Sequence, residues 1–126
     1  MRHDLSQKLT KSYPNLYKHP YTGTEIEAFS FECEDGWYDI INLLSQIVNH
    51  HDNDKECRVI QVKEKFGTLR YYLNYEDDYL TGAIEMAELM SSKICEVCGN
   101  PGDIRGGGWV KTLCDPCCDD KGYPKE

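Results

Sequence analysis

Two C-x-x-C pairs, Cys95-Glu96-Val97-Cys98 and Cys114-Asp115-Pro116-Cys117, are separated by 15 residues. Thiolates are soft ligands, four of them close a tetrahedral shell around Zn²⁺, and this spacing is that of structural Cys₄ sites. Gly99 follows the first pair and permits the positive φ that a metal-binding knuckle needs if its backbone N–H groups are to face sulfur. The pattern therefore predicts one structural zinc ion on Cys95, Cys98, Cys114 and Cys117. Cys118 duplicates the last ligand position and is the alternative fourth ligand, although the x-x spacing of the first pair favours Cys117. A redox dithiol would need only one pair.

Four thiolates leave no open position for water, so the metal reads as structural rather than catalytic. The zinc deaminases pair P-C-x-x-C with an upstream His or Cys followed by x-Glu. Here the proline lies inside the second pair, and Cys33-Glu34 lacks the required spacing. In zinc-stapled HNH nucleases the catalytic histidine lies between or beside the pairs, whereas His50 and His51 precede Cys95 by more than 40 residues. Adjacent histidines at a helix C-terminus are more simply caps that suit the dipole. No nucleophile–base pair is visible, so an enzyme is the less expected class and a hydrolase the third-ranked reading.

Two surfaces could bind something other than metal. Lys63, Lys65, Arg70 and Tyr72 gather around a hairpin with Phe66, a basic and aromatic set suited to a phosphate, nucleotide or single strand. Ion pairing to Glu64 along a strand face explains the same residues. Arg105, Trp109 and Lys111 make the second set, since tryptophan beside arginine is a common interface anchor. The competing explanation is that Trp109 packs on the body and covers the metal. The acidic runs Glu32, Glu34, Asp35 and Glu76-Asp77-Asp78 fit solvated helix starts, where carboxylates cap N–H groups and complement the dipole.

The elements that must position these residues follow from periodicity. Leu5 and Leu9 mark a short amphipathic helix over His3 to Lys11, ending before Pro14. Three tyrosines among Pro14, Pro20 and Gly23 suggest an ordered loop. Alternation over Glu25 to Cys33 predicts a half-buried strand. Trp37, Ile40, Ile41, Leu44, Ile47 and Val48 follow the 3.6 period of a helix opened by Asp35 or Gly36. Val59 to Leu73 reads as two antiparallel strands, with Leu69, Tyr71 and Leu73 facing the core. Asp77 or Asp78 caps a second long helix whose apolar stripe is Leu80, Ile84, Ala87, Leu89 and Met90, with Glu85 and Glu88 on the wet face. Trp109 to Leu113 completes a hairpin that delivers Cys114, and Pro116 suits the first turn of a helix.

The predicted class is α+β: a small antiparallel three-stranded sheet packed with two main helices, plus a C-terminal module resembling zinc ribbons and treble clefs. The body spans residues 1–93 and the zinc-binding module residues 94–126, packed on it. That module-level likeness covers about 25 residues and specifies metal without activity.

The 126 residues suit one compact domain. The formal charge is −8, and four thiolates with one Zn²⁺ would take it to about −10. Such a chain should bind generic duplex DNA poorly and prefer basic surfaces. No early apolar run suggests a leader, and no stretch approaches the roughly 20 residues of a membrane span. Seven cysteines without a secretion signal point to a reducing cytoplasm, where Cys33 and Cys57 are small buried hydrophobes.

Asp35-Gly36-Trp37, Lys63-Glu64-Lys65-Phe66-Gly67-Thr68-Leu69-Arg70 and the cysteine-bearing end resemble small uncharacterised proteins of bacteriophages and prophages, over roughly residues 30 to 118. The resemblance implies a phage-related setting in the host cytoplasm and lends no catalytic residue. The expectation is a non-enzymatic, zinc-stabilised interaction protein that binds a protein partner, as an inhibitor of host defence would. A nucleotide or nucleic-acid binding module using Lys63, Lys65 and Arg70 is the alternative.

Overall fold

The computed structural model describes residues 1–24, 26 and 29–124. The chain runs α1 (His3–Ser12), β1 (Phe31–Glu32), a 3₁₀ turn (Asp35–Trp37), α2 (Tyr38–His51), β2 (Val59–Lys65), β3 (Thr68–Leu73), α3 (Asp78–Ser91), β4 (Asp103–Arg105), β5 (Lys111–Leu113) and α4 (Asp115–Lys121). This is the α+β class, with one sheet ordered β1-β2-β3 and a second made of β4 and β5. Among the described residues, no helix is long and apolar enough to cross a membrane.

The sheet is mixed rather than antiparallel. β1 pairs parallel to β2 through Phe31↔Val62 and Glu32↔Lys63. The reason is topological: α2 lies between the two strands and carries the chain back, so β2 enters at the same end as β1. The observed strand is also shorter than the sequence suggested. Among the described residues of the expected Glu25 to Cys33, Phe31–Glu32 is the ladder-paired stretch; Glu25, Glu27 and Ala28 lie outside the described residues.

β2 and β3 form the antiparallel hairpin expected, with Val62↔Tyr71 and Lys63↔Arg70 as facing pairs. A register irregularity between Val59 and Gln61 lets both Val59 and Val62 point inward, which strict alternation forbids. Two residues close the hairpin, Phe66 at φ 55° and Gly67 at φ 84°. Two positive φ values match the right-handed strand twist, but phenylalanine is an unusual and strained choice for the first of them.

Trp37, Ile41 and Val48 are fully buried against Val62, Leu69 and Tyr71 and against Leu80 of α3, with Leu9 and Leu16 closing the core from the N-terminal segment. Inside it, Tyr17 Oη, Ser45 Oγ and Tyr71 Oη form a buried hydroxyl chain with spacings of 2.7 and 3.0 Å. Burial raises the Tyr17 phenol well above its ordinary value and Tyr71 to about 12.

α3 differs from its expected orientation. Asp77 is the N-cap, its carboxylate accepting from Leu80 N–H at 2.9 Å. The buried residues are Leu80, Ile84, Ala87 and Ser91, while Leu89 and Met90 face solvent. The unpaired edge of β3 decides the rotation. Ser91 Oγ accepts from Leu69 N–H at 2.8 Å, and a Glu88 carboxylate oxygen accepts from Tyr71 N–H at 3.2 Å. α3 thus satisfies two edge donors that a sheet must otherwise leave to water, and Glu88 is drawn off the wet face.

Candidate metal centre

Four short pieces build the cysteine cluster. The first is a knuckle at residues 95–98: Cys95 N–H donates to Asn100 O at 2.7 Å and Gly99 N–H to Cys95 O at 2.9 Å, with Gly99 at φ 84°. β4 and β5 are the hairpin, in register Ile104↔Thr112. Cys114 is the N-cap of α4, Pro116 lies in its opening turn, and Cys117 projects from the same turn.

Each of the sulfur atoms of Cys95, Cys98, Cys114 and Cys117 lies within 4.8 Å of the other three. Cys98 and Cys114 Sγ are 3.5 Å apart. Zn–S bonds of about 2.3 Å in a tetrahedron require sulfurs about 3.8 Å apart, so the set can hold one metal ion. Cys98 is exposed and the other three are buried. Burial raises the Cys95 thiol, but N–H groups of Cys114, Cys98 and Val97 turned on its sulfur outweigh this and bring it down to about 7. Desolvation and the crowding of neighbouring thiols push Cys117 up. A divalent ion would relieve that crowding by binding all four as thiolates.

Cys118 is fully buried and outside the four-sulfur group. It packs with Leu113 in a second apolar cluster, flanked by Val97 and Tyr123. Cys33 and Cys57 are buried in the main core. Burial, followed by the charge of Glu96, pushes the Cys33 thiol up to about 12. His51 lies away from the cysteine cluster: its Nε2 is 2.6 Å from the Asp77 carboxylate, and its ring stacks on Tyr79.

The cluster is fastened to the body by contacts that sequence reasoning missed. Gly36 N–H donates to Glu96 O at 2.7 Å, Glu34 N–H to Glu96 Oε2 at 3.1 Å, and Trp37 Nε1–H to Ile94 O at 2.9 Å. Glu96, between two ligands, is almost fully buried and meets Lys111 Nζ at 3.2 Å, which also reaches Glu64 at 3.8 Å. Thr112 Oγ1–H donates to Gly67 O at 2.6 Å, tying β5 to the hairpin tip. The available signal was a charged residue inside a C-x-x-C pair together with the glycine of Asp35-Gly36-Trp37.

The expected binding residues separate. Lys63 and Arg70 face each other across β2 and β3, and Tyr72 is exposed farther along β3. Arg70 donates to Thr68 Oγ1 at 2.6 Å and lines a hollow with Glu85, Glu88 and Leu89. Arg105 is not a surface residue: it is buried, with Nε–H donating to Leu113 O at 3.1 Å and Nη2 at 2.9 Å from Asp115. Its guanidinium there satisfies a β5 carbonyl and anchors the start of α4. Trp109 does not cover the metal but stands 75% exposed.

Lys65 and Trp109, assigned to different surfaces by sequence, line one groove of about 390 Å³ with Phe66, Gly108, Val110 and Glu64. Phe66 is 72% exposed, with Lys65 Nζ 5.6 Å from its ring centroid. No protein-family model matches the chain, and neither the curated proteins nor the solved structures give a match.

Proposed function

We propose that this chain is a non-enzymatic interaction protein stapled by one structural zinc ion, acting in the host cytoplasm as a bacteriophage-encoded inhibitor of a host defence protein. The observation that carries the binding reading is the groove between Phe66 and Trp109, two exposed aromatic rings presented by different modules. Large exposed apolar side chains around one concavity mark protein contact sites, and tryptophan is a leading interface anchor. The strained φ of Phe66 supports the same reading, since such strain persists where the side chain has a use.

Zinc is the metal that a closed set of four soft thiolates suits best. The knuckle, hairpin and helix follow the treble-clef order, in which the metal supports a surface rather than a reaction. The phage setting rests on the resemblance carried by Asp35-Gly36-Trp37, the Lys63–Arg70 segment and the cysteine end; the defence target is the role proposed within that setting.

One observation favours a second reading, a nucleotide or nucleic-acid module. Lys63 and Arg70 stand directly opposite on neighbouring strands, where one phosphate could meet both cations, and Glu32 faces Lys63 from the other side on β1. Affinity capture from phage-infected cell lysate with three baits separates the two. Wild type and Lys63→Glu/Arg70→Glu should retain the same protein, and Phe66→Ala/Trp109→Ala should lose it. Retention by the aromatic variant with loss in the charge-reversed one, alongside nucleotide bound only to wild type, would move function to the basic pair.

A further inference from the structure

α3 carries apolar side chains beyond its core face. Its core face is Leu80, Ile84 and Ala87, yet its solvent side carries Tyr79, Met86 (61% exposed), Leu89 (69%) and Met90. A contiguous exposed apolar strip of this kind marks a contact surface. The apolar surface continues onto α2. Tyr79 stacks on His51 with centroids 4.3 Å apart, which fixes the C-terminal end of α2 against the N-terminal end of α3. At 1.5 Å per residue, four residues back from His51 and four forward from Tyr79 set Ile47 beside Ala83, and one turn more brings Leu43 (58% exposed) to the level of Met86. The result is a strip about 16 Å long, three helical turns from Tyr79 to Met90.

Charge chooses its occupant. Neither α2 nor α3 contains a lysine or arginine, and their charged residues are Asp39, Asp78, Glu85 and Glu88. The charges that these helices set beside the strip are Asp39 and Glu85, both negative, on a chain of −8, while Glu88 is turned to Tyr71 N–H and Lys93, just past Met90, is held by Asp103 at 3.4 Å. A second copy would set acidic rim against acidic rim. A basic amphipathic segment would match both apolar strip and rim, and methionine side chains adapt well to such helices.

We infer that the α2–α3 face is a docking site for a basic amphipathic α-helix of a partner protein, with Leu43, Ile47, Met86 and Met90 taking its apolar side and Asp39 and Glu85 its lysines or arginines. This deepens the interaction reading but uses a different face from the Phe66–Trp109 groove.

The test is fluorescence-anisotropy titration of the full zinc-loaded chain with an 18-residue helical peptide bearing leucines at i, i+3, i+4 and i+7 and lysines elsewhere. A peptide of equal composition but scrambled periodicity is the control, and amide NMR shifts map the site. Expected is micromolar binding mapped to α2 and α3, at least tenfold tighter than the control, and weakened at least tenfold in Leu43→Ser/Met86→Ser. Phe66→Ala/Trp109→Ala should leave it unchanged. Equal affinity for both peptides, shifts confined elsewhere, or insensitivity to Leu43→Ser/Met86→Ser would overturn the inference. So would sedimentation as a dimer that Leu43→Ser/Met86→Ser dissociates, which makes the occupant a second copy. If the amphipathic peptide fails while the aromatic groove still captures its protein, only this docking site falls; if neither face binds, the interaction reading falls with it.

Discussion

Replacing Gly36 with alanine should undo the docking of the metal module without touching a ligand. A Cβ at Gly36 would lie 2.1 Å from Cys95 O and 2.5 Å from Glu96 O, whereas real Cβ contacts essentially never fall under 3.0 Å. Because both obstacles are backbone atoms of the knuckle, no side-chain rotation relieves the clash, and knuckle and 3₁₀ turn must part by about 1 Å. That parting breaks the 2.7 Å bond from Gly36 N–H to Glu96 O and loosens the Glu34 N–H that serves the buried Glu96 carboxylate. Two buried hydrogen bonds lost at about 1–2 kcal/mol each give on the order of 3 kcal/mol. For a domain of this size that lowers Tm by about 10 °C. Differential scanning calorimetry of the zinc-loaded protein measures it, with chelator competition for metal affinity beside it. A Gly36→Ala protein within about 0.5 kcal/mol of wild type would refute the docking geometry.

Cys98→Ser should weaken metal binding at least a hundredfold and melt residues 94–124, whereas Cys118→Ser should keep its metal and lose only about 1 kcal/mol from a buried hydroxyl; competition with a chromogenic chelator distinguishes them. Ser91→Ala should cost about 1–2 kcal/mol in urea unfolding, because it strands Leu69 N–H on the covered edge of β3. Burial raises Tyr71 from 10.0 to about 12, so above pH 10 the unfolded state loses a proton that the folded state keeps. Stability should be complete below pH 10 and fall as pH rises from 10 through 12, with on the order of 3 kcal/mol of the loss coming from Tyr71 and more from the linked Tyr17, and Tyr71→Phe should reduce that slope in urea titrations.

Most of the scaffold was legible because its signals are local. The four ligands sit in two short turns, so spacing alone assembles them, and α2 follows its period because one side faces the core and the other water. The errors come from partners that spacing does not reveal. β1 was assigned the wrong direction because α2 acts as a crossover, and the β2 bulge hid the joint burial of Val59 and Val62. For α3, Leu89 and Met90 extended the expected apolar stripe to residues that face solvent, and the donors of Leu69 and Tyr71 set the actual rotation and drew Glu88 inward. Arg105 looked like a surface cation because nothing in the sequence says that β5 turns its Leu113 carbonyl toward it. Gly36 and Glu96 lie about 60 residues apart, so their contact emerges only when the body and the cysteine module are packed together.

The metal is best tested by native mass spectrometry of protein purified under reducing conditions, with elemental analysis on the same sample. One zinc per chain is predicted, retained in Cys118→Ser and absent from Cys98→Ser. A metal-free wild-type chain with its fold intact, or two ions per chain, would contradict a single closed site on Cys95, Cys98, Cys114 and Cys117.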